Sequence, residues 1–204
     1  MKKLSLALSL LLLSGCSLLP KGAEAPRLFT LNPPQMAAQN ASARLPVNLQ
    51  ILLPQVVPGL DGERIALRRS DNQIDYYADT KWAGNLNAVV QSVLVESFDA
   101  SGALKSVGND LITMNEDYAL LVEIRDFQSE YIINTTTPRA HIRLAVKLIR
   151  KDTNEILSTR VYDQKENSEG DGMQQIITAF DIAFQRAAKN ITADTVQLLG
   201  RLNR

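Results

Sequence analysis

One cysteine, one histidine and one tryptophan are spread over 204 residues, and aromatic side chains make up only 5% of the chain. A lone cysteine excludes an internal disulfide, and one Cys with one His falls short of the four Cys/His ligands a structural zinc site takes. Hydrolysis of the Ser–His–Asp type would have to run through His141,. No G-x-S-x-G elbow, Walker loop, H-E-x-x-H helix or Rossmann glycine pattern is present,. The 22 basic and 22 acidic residues cancel, and no basic run or stripe appears, which disfavours nucleic-acid binding. No catalytic residue, cofactor or metal site is expected.

What is present begins at the N-terminus. Met1-Lys2-Lys3 supplies a short positive region, and Leu4 to Leu13 is apolar apart from small serines. That run is half the length of about 20 residues that a membrane-spanning helix needs. It has the length of a signal-peptide core, and small residues follow it. Leu13-Ser14-Gly15-Cys16 resembles the bacterial lipobox, which implies cleavage before Cys16, a diacylglycerol thioether on its sulfur and a further acyl chain, such as palmitate, on its freed amine. Stable membrane anchoring takes at least two acyl signals, and a lipidated Cys16 exceeds that threshold. Ser17 in place of aspartate implies, by resemblance to enterobacterial lipoproteins, sorting to the outer membrane. Cleavage removes Lys2 and Lys3 from the 22 basic residues, leaving 20 against 22 acidic.

Residues 16–26 read as the lipidated cysteine and a short tether rich in proline, glycine and small residues, and residues 27–204 as one α+β periplasmic domain. Strands are expected at Arg27–Leu31, Leu45–Leu53, Arg64–Arg68, Gln73–Tyr77, Tyr118–Phe127, His141–Arg150 and Glu155–Gln164. Gln35–Arg44 reads as a surface loop, and Ser70-Asp71-Asn72 and Asp152-Thr153-Asn154 as turns. In His141–Arg150, Ile142, Leu144, Val146 and Leu148 face one way and His141, Arg143 and Lys147 the other. This pattern marks an antiparallel strand with one covered and one wet face, and makes His141 a solvated surface residue. Trp82, Leu86, Val89, Val90, Val93, Leu94 and Phe98 recur at helical spacing, predicting a helix over Trp82–Phe98 that ends near Ser101-Gly102. Asp171 as N-cap with Gln174 at the third position opens a second helix of roughly 25 residues, ~38 Å long. The order of elements predicts a two-layer sandwich, a mostly antiparallel sheet packed by two main helices. Tyr76, Tyr77 and Trp82 are the candidate aromatic surface for a partner, although Trp82 also starts an apolar stripe.

Three segments together resemble the ABC-type transport auxiliary lipoprotein family, which includes the PqiC-like lipoproteins. They are Phe29-Thr30-Leu31; Ile51 to Pro54 continuing through Leu60-Asp61 to Arg64–Arg68; and Tyr77 with Trp82-Ala83, leading into Leu86 and Val93-Leu94. Phe127 also fits. Lys81 stands where the family has arginine, and Gly84-Asn85 where it has Glu-Pro. The resemblance implies a non-catalytic lipoprotein that works beside an MCE-domain protein in ABC-type lipid transport between membranes. It implies docking or sealing at the outer membrane, with ring-like homo-oligomers in some members. The other reading is an envelope lipoprotein that scaffolds or regulates a different machine, such as cell-wall synthesis or outer-membrane assembly.

Overall fold

The computed structural model describes residues 25–36, 44–70, 73–109, 115–132, 135 and 137–204. Residues 1–15, Cys16, most of the tether, the Asp71-Asn72 turn and most of the Gln35–Arg44 loop lie outside them. The elements are β1 (Arg27–Phe29), β2 (Leu45–Ile51), β3 (Gln55–Val56), β4 (Arg64–Ser70), β5 (Gln73–Trp82), α1 (Leu86–Ser101), β6 (Leu104–Gly108), β7 (Tyr118–Glu130), β8 (Arg139–Arg150), β9 (Ile156–Asn167) and α2 (Met173–Leu202). This is an α+β fold, one mixed sheet with both helices on one face and in contact with each other.

β7 is the hub. Along one side it pairs in antiparallel fashion with β8, and β8 with β9. Along the other side β2, β3 and β4 follow one another end to end, each parallel to a different part of β7. Outside β2 lies β6, and outside β4 lie β5 and then β1. The long ladders are therefore antiparallel and the short ones parallel, a mixture that alternation within single strands does not disclose.

A β-bulge decides what β7 shows to each face. Leu120, Val122 and Ile124 point to the helices, and strict alternation would send Asp126 after them. The register instead shifts between Ile124 and Asp126. Arg125 is left unpaired, its guanidinium turned to Glu123 at 2.9 Å. Beyond the bulge Phe127 enters the core, and Asp126, Gln128 and Glu130 emerge on the helix-free face.

The core is built around Trp82, Phe127 and Phe180. Trp82 meets the other two edge-on, at 5.7 and 5.5 Å between centroids, while Phe127 and Phe180 stack at 5.5 Å. Such pairs add about 0.5–1.5 kcal/mol each beyond area burial. On α2, Ala179, Ala183, Ala187 and Ala188 are buried between the larger Ile176, Phe184 and Ile191, so the helix axis can approach the sheet closely. α1 ends where Gly102 adopts a left-handed conformation, φ 61°, and donates its N–H to Asp99,.

Three local expectations are corrected. Trp82 closes strand β5 and is not part of α1, because Gly84-Asn85 intervenes and the helix starts at Leu86. Asp171 does not cap α2: Gly172 occupies the N-cap with extended backbone and no side-chain cap, and the helix runs 30 residues, not roughly 25. β3 and β6 were not anticipated.

Candidate functional site

The three candidate aromatics differ in placement: Trp82 is buried, and Tyr76 and Tyr77 are half-buried. Trp82 is 1% exposed in the core, so it cannot present its ring to a partner. Tyr77 is half-buried, its hydroxyl 2.6 Å from Ser129 Oγ and 3.2 Å from the Tyr131 hydroxyl, and burial pushes that phenol well above its usual range. Tyr76 donates to the Gly59 carbonyl at 2.8 Å and lies under the Arg64 guanidinium, 3.5 Å from its ring centroid. Trp82 therefore serves core packing, and Tyr76 and Tyr77 are held at the edge of the core by these contacts.

A different group of side chains stands out, on the helix-free face where β4, β7, β8 and β9 run side by side. The register sets Gln128 against His141 and Glu130 against Arg139, and His141 against Lys165 and Arg143 against Asp163. Glu130 lies opposite Arg68 of β4. Asp126 is almost wholly buried and receives Arg143 and, at 3.4 Å, Arg68. Glu130 accepts a fork from Arg139, at 3.0 and 2.9 Å. Gln128, fully buried, bridges the two carboxylates at 3.1 and 3.4 Å and accepts the Phe127 N–H beside the bulge.

His141 is at the centre. Its Nδ1 is 2.7 Å from Glu130 and its Nε2 is 3.0 Å from Asp163. It is 7% exposed, which corrects the solvated-surface expectation: neighbouring charged side chains cover it, not a second layer of protein. Both contacts are hydrogen bonds at once only when both nitrogens carry hydrogen, since a neutral ring donates from one nitrogen alone. Neither nitrogen is free to take a proton from a serine, so the imidazole is not arranged as a triad base. The hydrogen bond from His141 and then the Arg139 fork hold the Glu130 carboxyl down at about 2, against burial, which acts in the opposite direction,. With Asp126 and Glu130 each matched to arginine, the cluster can hold a rigid polar face, and buried ion pairs of this kind are costly to break,.

On the helix side, Arg160 and Tyr162 of β9 both reach Asp194 of α2, at 2.6 and 3.0 Å, and Asn32 is held by Asp181 through its backbone and side-chain N–H groups at 2.7 and 3.0 Å. An open groove of about 600 Å³ lies where Asn32–Gln35 passes α2 at Ile182 and Lys189. Among the described residues no helix is long and apolar enough to cross a membrane.

The three segments that carried the family resemblance meet in space. Trp82 N–H donates to Glu63 at 2.7 Å, Ala83 N–H to Phe29 at 2.7 Å and Leu86 N–H to Gly62 at 2.9 Å. Comparison with known proteins agrees. A family model described as the ABC-type transport auxiliary lipoprotein component matches residues 29–192. A curated relative, an uncharacterized protein of Bradyrhizobium diazoefficiens, is 28% identical over 177 residues, 86% of this chain and 46% of its own. The chain thus spans about half the length of that relative. In structure it is similar to a Xanthomonas campestris protein (TM-score 0.75, 20% identity, 85% of this chain and 97% of that one). It is also similar to a Chlamydia trachomatis protein (TM-score 0.52, 11% identity, 76% and 98%). At those identities the structures speak to fold alone. With the family model covering most of its length, the chain belongs to the ABC-type transport auxiliary lipoprotein component family.

Proposed function

We propose that this protein is a non-catalytic auxiliary lipoprotein of an ABC-type intermembrane lipid transport system, working beside an MCE-domain protein. Its place is the periplasmic face of the outer membrane, held by lipidated Cys16, where it docks or seals the transport path. The family match over residues 29–192 is the observation that carries this reading. Leu13-Ser14-Gly15-Cys16 supports the anchor. The engagement of both His141 nitrogens by carboxylates supports the absence of catalysis. From Cys16 to Arg27 the chain reaches about 40 Å at full extension, so the domain works close to the membrane that holds it.

The test is affinity purification from gently solubilised membranes with mass spectrometry of the co-purifying proteins, beside a Cys16→Ser control. An MCE-domain protein recovered with the wild-type chain and lost with the control is the expected result. Cell-wall synthases or outer-membrane assembly factors in its place, without any MCE protein, would overturn the transport reading and leave the fold assignment intact.

A further inference from the structure

β9 is an outer strand of the sheet and pairs only with β8. Ser168 N–H donates to the Pro138 carbonyl at 2.9 Å, which fixes the phase of the ladder. With Leu144 opposite Tyr162 and Ile142 opposite Gln164, the even-numbered residues of β9 turn their backbone toward β8. Thr159, Val161 and Asp163 turn theirs outward. The carbonyl of the next outward residue, Lys165, lies 3.5 Å from Arg186. Among the described residues, the outward backbone groups of Thr159, Val161 and Asp163 meet no partner.

Natural edges are usually blunted by proline, bulges, charged side chains or a covering element; the charges of Arg160, Asp163 and Glu166 are already engaged within the chain. Here Ser158–Asn167 has no proline and an unbroken register, and the Val161 side chain is 52% exposed.

We propose that this edge pairs with the same edge of a second copy of the chain, antiparallel about a two-fold axis at Val161, so that two sheets become one. The sequence is self-complementary at that axis. On the helix-free face Val161 meets the partner's Val161, and the Thr159 hydroxyl donates to the partner's Asp163. On the helix side Arg160 faces the partner's Tyr162, with its own charge already matched by Asp194, and Ser158 faces the partner's Gln164. Other axes fail. Centred on Tyr162, pairing sets a carboxylate against Val161; centred on Asp163 it opposes two carboxylates, and centred on Arg160 two guanidinium groups. An axis between residues would set outward groups against groups already bonded to β8. This surface is isologous and closes on itself. It stands independently of the transport reading.

Cross-linking in native envelope membranes, with the full chain, tests it. Facing residues of such a pair lie about 5.5 Å apart at Cα, within disulfide range. Val161→Cys is therefore expected to give a chain-to-chain disulfide under mild oxidation. Thr159→Cys alone should give none, and Thr159→Cys mixed with Asp163→Cys should restore it. The wild-type chain, with only Cys16, is the blank. In detergent solution, Val161→Lys and Thr159→Pro should each sediment at half the protein mass of the wild type with an unchanged circular dichroism spectrum, since their outward groups are not needed by the monomer. A Val161→Cys chain that stays uncross-linked, or that cross-links to a different protein, overturns the proposal. So does a folded Val161→Lys chain that keeps the wild-type mass.

Discussion

His141 and Glu130 show how a single side chain couples this protein to pH. The Glu130 carboxyl titrates at about 2 in the fold, from an ordinary value of 4.5. A depressed acid contributes stability above its unfolded value and loses it as pH falls through the folded one. That contribution is present above about pH 4.5 and is lost as pH falls from there towards about 2,. Chemical denaturation at stepped pH should show this acid-side decline, and Glu130→Gln should flatten it while lowering stability at pH 7. At the aromatic centre, Trp82→Ala removes a 1%-exposed ring that touches Phe127 and Phe180. It should cost about 3–5 kcal/mol by denaturant titration. Alternation placed His141 on the correct face of its strand, yet its burial was not legible in the sequence. It depends on Glu130 and Asp163 arriving from two other strands, and only register supplies that.

Among the elements, those whose pattern is self-contained were readable. β8 alternates cleanly, α2 keeps one apolar stripe over most of its length, and Gly102 ends α1 where expected. β3 is two residues long and β6 reads Leu-Lys-Ser-Val-Gly; both owe their strand character to the partner beside them. The start of α1 was misread because Trp82 falls in phase with the helical stripe while belonging to the preceding strand. The bulge at Arg125 was invisible for a related reason: Leu120, Val122 and Ile124 predict an inward Asp126, and only the inserted residue turns it away. Deleting Arg125 should therefore remove the bulge and leave Ile124 inward, Asp126 outward and Phe127 in the core, so the cooperative unfolding transition seen by circular dichroism should survive,. Arg125→Ala keeps the insertion and removes only an exposed ion pair, so it should cost no more than about 1 kcal/mol.

At the scale of the whole molecule, the fold class was legible in the order of strands and helices, and the family in three short segments that the structure joins by backbone hydrogen bonds at Phe29, Glu63 and Trp82-Ala83. Of the aromatics read as a partner surface, Trp82 is in the core, while Tyr76 and Tyr77 are half-buried. The anchor gives the clearest molecular prediction. Cell fractionation should find the wild-type protein in membranes, extracted by detergent and not by salt, with acyl chains on Cys16 by mass spectrometry. Cys16→Ser should lose that modification entirely.

The end-to-end arrangement of β2, β3 and β4 along β7 also sets a timetable. Leu49 waits for Tyr118, Gln55 for Glu123 and Ala66 for Gln128, each more than sixty residues downstream, so β2, β3 and β4 cannot form their ladders to β7 until the middle of the chain arrives. Closing such loops before any contact rewards them makes folding slow. Stopped-flow refolding should proceed over milliseconds to seconds, and a chain truncated before Tyr118 should stay unstructured. For a protein exported as proposed, that delay has a use: the leading half remains threadable until it has left the compartment where it was made.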